Sequence, residues 1–255
     1  GRGVEAYYDP SSSDLHNGLA PIYGRAVWLP GVEDSPAVRW SGTGEASRMT
    51  VRLDLSYDGA AEKWTGRGVL NATGGLCPYD RMAGLEDEAR STIEEIVGGL
   101  LPGAEVGGYN ATTFDRFTVT AGFDFTAPAG ERDDLGRVRL ELGEPGEGVF
   151  DRLPGHVRLY EPERGSGVHL PGVMVQTVDL RLDAGGLELV RLPEESRVQT
   201  PMGSFTLTVD REEDTIHLVR SLSLGRAACS AEEWPNLRRL LLAEEDERGK
   251  VLLFR

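Results

Sequence analysis

Nucleophilic catalysis needs a nucleophile, a base and an orienting group that converge, and the side chains able to supply them are scarce in this sequence. It holds two cysteines, Cys77 and Cys229, and four histidines, His16, His156, His169 and His217. The histidines stand in four different local contexts, with no i, i+4 pair and no neighbouring carboxylate motif, so no metal site is expected. His217 falls on the expected outer face of a strand, where a solvated structural role is the reading. Cys77 follows a double glycine in Leu76-Cys77-Pro78-Tyr79. A thiol opening a helix can ionise readily, but Pro78 and Asp80 do not favour a thiolate here. Cys229 reads as a small buried apolar residue. Two cysteines are too few for a disulfide scaffold or a zinc site, and they leave one long-range bridge open.

The remaining motifs are also read as structural. Gly165-Ser166-Gly167 lacks the spacing of a nucleophile elbow, and Gly42-Thr43-Gly44 lacks the third glycine of a dinucleotide site, so both are loops and no cofactor is expected. Asn71-Ala72-Thr73 and Asn110-Ala111-Thr112 match a glycosylation sequon that matters only in a eukaryotic secretory pathway. The acid pairs Glu94-Glu95 and Glu212-Glu213 read as solvated, on a helix face and in a turn. Near the start, the aromatic run Val4 to Tyr8 leads into Asp9-Pro10-Ser11, by itself a turn initiator.

The elements that would position these residues are mostly strands. Met49, Val51, Leu53, Leu55 and Tyr57 alternate with polar residues, the signature of a half-buried strand, and Asp58-Gly59 turns the chain into a second strand from about Trp64 to Thr73. Gly66 and Gly68 in that strand mark a bulge or a close backbone approach. Leu85, Ala89, Ile93, Ile96, Val97 and Leu100 form one apolar helix face that Pro102-Gly103 ends. A further amphipathic strand runs from Phe117 to Phe125. Val173 to Leu224 then repeats strands and turns, with Arg220 the exception in its apolar row. Ser230 and Glu233 have capping-box spacing ahead of Trp234, Leu237, Leu240 and Leu241, and Val251 to Phe254 reads as a last strand returning to the sheet.

The fold class is therefore mainly β with a few helices (α+β), expected as two β-rich domains with antiparallel, sandwich-like sheets. Residues 1–45, rich in turn formers, form a connecting segment; 46–145 form the first domain and 146–255 the second, with the passage between them in the Gly- and Pro-rich stretch 129–170, which holds one expected strand at Arg137 to Leu142. A net charge of −15, with arginines interleaved among acids, argues against a nucleic-acid partner. No apolar run approaches the roughly 18 residues of a membrane-spanning helix, so no membrane span is expected. The start of the chain shows no signal peptide.

Tyr7-Tyr8-Asp9-Pro10-Ser11-Ser12 resembles the last active-site motif of transglutaminase-like, papain-related enzymes, where an aromatic strand ends in Asp-Pro-Thr or Asp-Pro-Ser. The succession that follows is similar to the post-catalytic region of large bacterial transglutaminase-like proteins with flanking domains of unknown function. It comprises a strand at Gly24 to Leu29, one ending in Asp58-Gly59, helices reaching Leu101-Pro102-Gly103-Ala104, then Leu192-Pro193, Met202-Gly203-Ser204-Phe205 and Ser230-Ala231-Glu232-Glu233-Trp234-Pro235-Asn236-Leu237. The resemblance implies that Asp9 orients a histidine whose partner is a cysteine nucleophile. Both would have to come from outside this chain, because only eight residues precede Asp9. It further implies an accessory region that supports an upstream transglutaminase-like core or presents a protein or cell-envelope substrate, in an exported or periplasmic bacterial setting. The alternative is a free-standing glycan- or peptide-binding module using Trp28, Trp40 or Trp64 at its surface. A third reading is a hydrolase built on Asp9 or Cys77.

Overall fold

The computed structural model describes residues 46–255 apart from 116, 131, 156 and 171, and also the backbone of 26–27 and 38–39. The latter form a minimal antiparallel pair, β1 (Ala26–Val27) with β2 (Val38–Arg39). Asp9, His16, Trp28, Trp40 and Gly42-Thr43-Gly44 lie outside the described residues, as does His156.

The alternating segments form long strands. β3 (Ser47–Asp58) and β4 (Lys63–Thr73) make the expected hairpin. Two short helical pieces follow, α1 (Tyr79–Met82) and the main helix α2 (Glu86–Leu100). Leu85, expected on the apolar face of that helix, is instead 72% exposed just ahead of it. Its N–H donates to the Glu88 carboxylate at 3.1 Å, which fixes the helix start one residue later, and Glu86, Asp87 and Glu88 all lie favourably at the positive end of the helix dipole. Gly103, at φ +79°, carries the chain out of the helix. β5 (Glu105–Asp115) and β6 (Thr118–Pro128) form a second hairpin.

The stretch read as an inter-domain passage contains β7 (Val138–Glu141) and β8 (Val168–His169). Then come β9 (Met174–Asp183), β10 (Leu189–Arg191), β11 (Ser196–Thr200), β12 (Gly203–Glu212), β13 (Thr215–Leu224) and β14 (Ala228–Cys229). The reciprocal bonds expected between Ser230 and Glu233 form, but they close a turn at 231–233, and α3 (Trp234–Glu244) starts only after it. The Ser230 N–H donates to Glu233 at 3.0 Å and the Glu233 N–H donates to the Ser230 hydroxyl at 3.2 Å. β15 (Val251–Phe254) closes the chain.

The fold is mainly β with a few helices. Eight strands form one sheet in the order β11-β12-β13-β9-β3-β4-β6-β5, antiparallel throughout except where β3 lies parallel to β9. Strands from 46–145 and from 146–255 thus share a sheet, and the crossover from one half to the other supplies the long connection that a parallel pair requires. β15 returns to a three-stranded sheet, β10-β15-β7, where β7 offers it a four-residue register.

One face of the large sheet is buried. Leu53, Leu55, Leu70, Phe123, Leu180, Leu218 and Phe205 point into a core that also takes Ile93, Ile96 and Val97 of α2, Trp234, Leu237 and Leu241 of α3, and Leu252 and Phe254 of β15. Gly66 and Gly68 are places of close approach, with the ladder in register on both sides. The Phe123 ring occupies the volume that a Cβ at Gly68 would need, and the Phe125 ring crowds Gly66 in the same way.

Arg220 interrupts the apolar row of β13 and is 2% exposed. Its Nε lies 3.2 Å from Glu244 of α3, and its Nη2 donates to the Gly143 carbonyl and lies 3.4 Å from Glu144. Lys250 reaches Glu144 at 3.0 Å, and Gln176 donates to it at 3.3 Å while accepting from the Val149 N–H at 2.7 Å. This polar cluster ties the sheet to α3 and to the chain that leaves β7.

Candidate functional site

Among the described residues nothing covers the opposite face of the large sheet, which carries the polar half of each alternation. At its centre β3 presents Arg52, β9 presents Asp179 and Arg181, and β13 presents His217. The parallel register sets Arg52 directly opposite Asp179, whereas His217 stands opposite Arg181 and reaches Asp179 on the diagonal. Arg52 Nε donates to Asp179 Oδ2 at 3.0 Å, and His217 Nε2 lies 2.8 Å from Asp179 Oδ1. Burial pushes the Asp179 carboxyl upward, but the hydrogen bonds from His217 and Arg52 outweigh it and hold the group below the usual carboxylate range. Beside His217, at the β12–β13 hairpin, Arg181, Asp210, Arg211, Glu212 and Thr215 line a concavity of about 400 Å³.

A carboxylate pinned by an arginine fixes the orientation of an imidazole, which is the positioning half of an acid–base device. The other half is a nucleophile within reach. Ser221, on the same strand face, is four residues and roughly 13 Å from His217 at strand rise. Its hydroxyl is hydrogen-bonded to Thr177 at 3.2 Å. The row therefore offers fixed charges to a polar partner.

The two cysteines are free and separate. Cys77 is partly buried between α1 and the β5–β6 hairpin, its Sγ 3.9 Å from the Asp115 carbonyl. Burial, only partly opposed by a hydrogen bond from the Tyr79 backbone, pushes its thiol up to about 11. Cys229 is buried and pushed up to about 11 in the same way. Trp64, weighed as a surface aromatic, is fully buried, because its indole packs between the rings of Tyr57 and Phe254. His169 lies exposed on β8.

Glu212-Glu213 is exposed at the β12–β13 turn as expected, whereas Glu94-Glu95 does more than face solvent. Glu94 accepts from the Val106 N–H at 3.0 Å and Glu95 pairs with Arg81 at 2.6 Å, which together anchor α2 to β5 and α1. Asn71 accepts from the Thr120 hydroxyl at 3.1 Å on the open face. Among the described residues, no three His, Cys, Asp or Glu side chains cluster as a metal site, and no helix is long and apolar enough to cross a membrane. The Asp179 to His217 contact escaped the sequence reading because its partners are 38 residues apart, on strands whose register no local pattern reveals.

Residues 150–254 match the family model DUF3858, a domain of unknown function with a solved structure. No curated protein matches the chain. Among solved structures, the chain is similar to a "putative protease" from Parabacteroides distasonis ATCC 8503, with 18% identity and a TM-score of 0.34 over 59% of this chain. The chain spans about 40% of that protein's length, and a likeness of this degree carries no structural argument.

Proposed function

We propose that this chain is a non-catalytic accessory region of a transglutaminase-like, cysteine-peptidase-related protein. In this reading its open sheet face supports the core or presents a protein or cell-envelope substrate to it. The observation that carries the reading is the state of the candidate nucleophile: Cys77 is partly buried, faces a backbone carbonyl, and has a thiol held far on the alkaline side. Asp9 keeps its proposed orienting role only with a cysteine and a histidine supplied from outside the chain. Residues 1–45 are the proposed connection to that core, and 46–145 and 146–255 the two β-rich domains, which join edge to edge through β3 and β9. The match of 150–254 to a domain of unknown function falls where the resemblance to post-catalytic regions is densest, and it supports the same reading.

Incubation of the 255-residue chain with a glutaminyl peptide and an amine, and separately with an unstructured peptide, tests the proposal. The expected result is no ammonia release and no cleavage above the buffer blank. Turnover that disappears in Cys77→Ser would overturn it.

A further inference from the structure

The three-stranded sheet has an inner face that joins the core and an outer face of different character. Arg139 on β7 and Arg191 on β10 stand on that outer face. The loop after β6 adds Arg132 and Arg137, and the turn before β15 adds Arg248. These five guanidinium groups surround a concavity of about 470 Å³ floored by Val251 and Leu253, with only Asp133 and Glu247 as acidic lining residues. The chain as a whole is strongly acidic, with 42 Asp and Glu against 27 Lys and Arg. The lining of the hollow itself reverses that balance, while Glu62, Glu141, Glu194 and Asp246 at its rim pair with its arginines.

Four of the arginines lean on rim carboxylates: Arg132 on Glu62 at 2.9 Å, Arg137 on Asp133 at 2.6 Å, Arg139 on Glu141 at 2.9 Å and Arg248 on Asp246 at 2.6 Å. Arg132 and Arg139 and their partners are exposed to water and each is held by one nitrogen, so these pairs hold weakly and a ligand oxyanion can compete with Glu62 and Glu141, whereas Arg137 and Arg248 grip their carboxylates with two nitrogens. Arg191 has no carboxylate partner among the described residues. The guanidinium fork matches the geometry of carboxylate and phosphate oxygens, and several forks around one hollow favour an anion with more than one charged group. The volume lies in the range of small-ligand sites.

We propose that this concavity is a binding site for a small, multiply charged anion carrying phosphate or carboxylate groups, independent of the open-face reading above. Calorimetric titration of the chain with pyrophosphate, citrate and acetate at low salt is the test. Pyrophosphate, citrate or both should bind, with acetate at least about tenfold weaker, and raising the salt to about 200 mM should weaken binding further. Which of the two binds distinguishes phosphate from carboxylate chemistry. The Arg139→Gln/Arg191→Gln variant should lose roughly tenfold or more in affinity while its melting temperature stays in place. Arg132→Gln serves as a second, single-site probe, and Arg67→Gln on the open face should change nothing. Absence of binding by both polyanions, binding no tighter than acetate, or full affinity in the arginine variants would overturn the proposal.

Discussion

Replacing Arg220 by alanine is expected to destabilise the protein by about 3–5 kcal/mol, because it breaks a buried ion cluster from one side. The guanidinium is the group on which Glu244, Glu144 and the Gly143 carbonyl converge. Without it, Glu144 is left with Lys250, Gln176 and Glu244, and the end of α3 loses its tie to β13. Glu244 responds to its surroundings in the opposite way from most acids. Burial pushes its carboxyl well above the ordinary range, Arg220 pulls it down without overcoming that, and Glu144 adds to the rise. The folded state thus holds a proton that the unfolded chain releases above its own pKa, so this group's contribution to stability is fully present below that value and lost as pH rises through the folded pKa. Glu244→Gln mimics the protonated form. It should leave the fold intact at neutral pH and flatten the decline in stability toward alkaline pH, whereas Arg220→Ala should be destabilised throughout. Urea unfolding at several pH values, followed by circular dichroism, measures both. An Arg220→Ala loss under about 1 kcal/mol would show that the cluster does not hold the sheet to α3.

Trp64→Ala is expected to cost a similar amount, about 3–5 kcal/mol. The indole is fully buried where the large and small sheets meet, with ring centroids 5.0 Å from Tyr57 and 5.7 Å from Phe254 and its Nε1 donating to the Ala129 carbonyl at 3.4 Å. Removal leaves a cavity bordered by strands of both sheets, which cannot collapse without moving β15. Trp64→Phe should recover much of the loss, since a ring in the same place restores the aromatic contacts but not the hydrogen bond. Chemical denaturation of the two variants gives the comparison.

The covered face of the large sheet was readable in the sequence because it is covered on one side only. The alternation in β3, β6 and β13 survives into the structure, and of the two readings open for Gly66 and Gly68, a bulge or a close approach, the structure has the close approach. β5 was not readable. It is an edge strand, exposed along most of its length, and bulges at Val106/Gly108 and Ala111/Thr113 break its period. The parallel pairing of β3 with β9 was hidden for a different reason. Arg52 and Asp179 are 127 residues apart, and each strand alone would be equally content with another neighbour. The same distance effect explains the candidate site. His217 was placed on an outer face and Arg220 was singled out as an intruder, but their partners Asp179, Glu144 and Glu244 became identifiable only once the chain was folded. Asp9, the one position taken from family resemblance, lies outside the described residues.

The proposed accessory role requires that Cys77 is not an activated nucleophile. The most direct measurement is the pH dependence of Cys77 alkylation in the native chain, read by peptide mass spectrometry beside Cys229. The account predicts little modification near neutral pH and a rise only toward the thiol's value of about 11. A midpoint below about 8, the mark of a thiolate stabilised by a nearby positive charge, would contradict it.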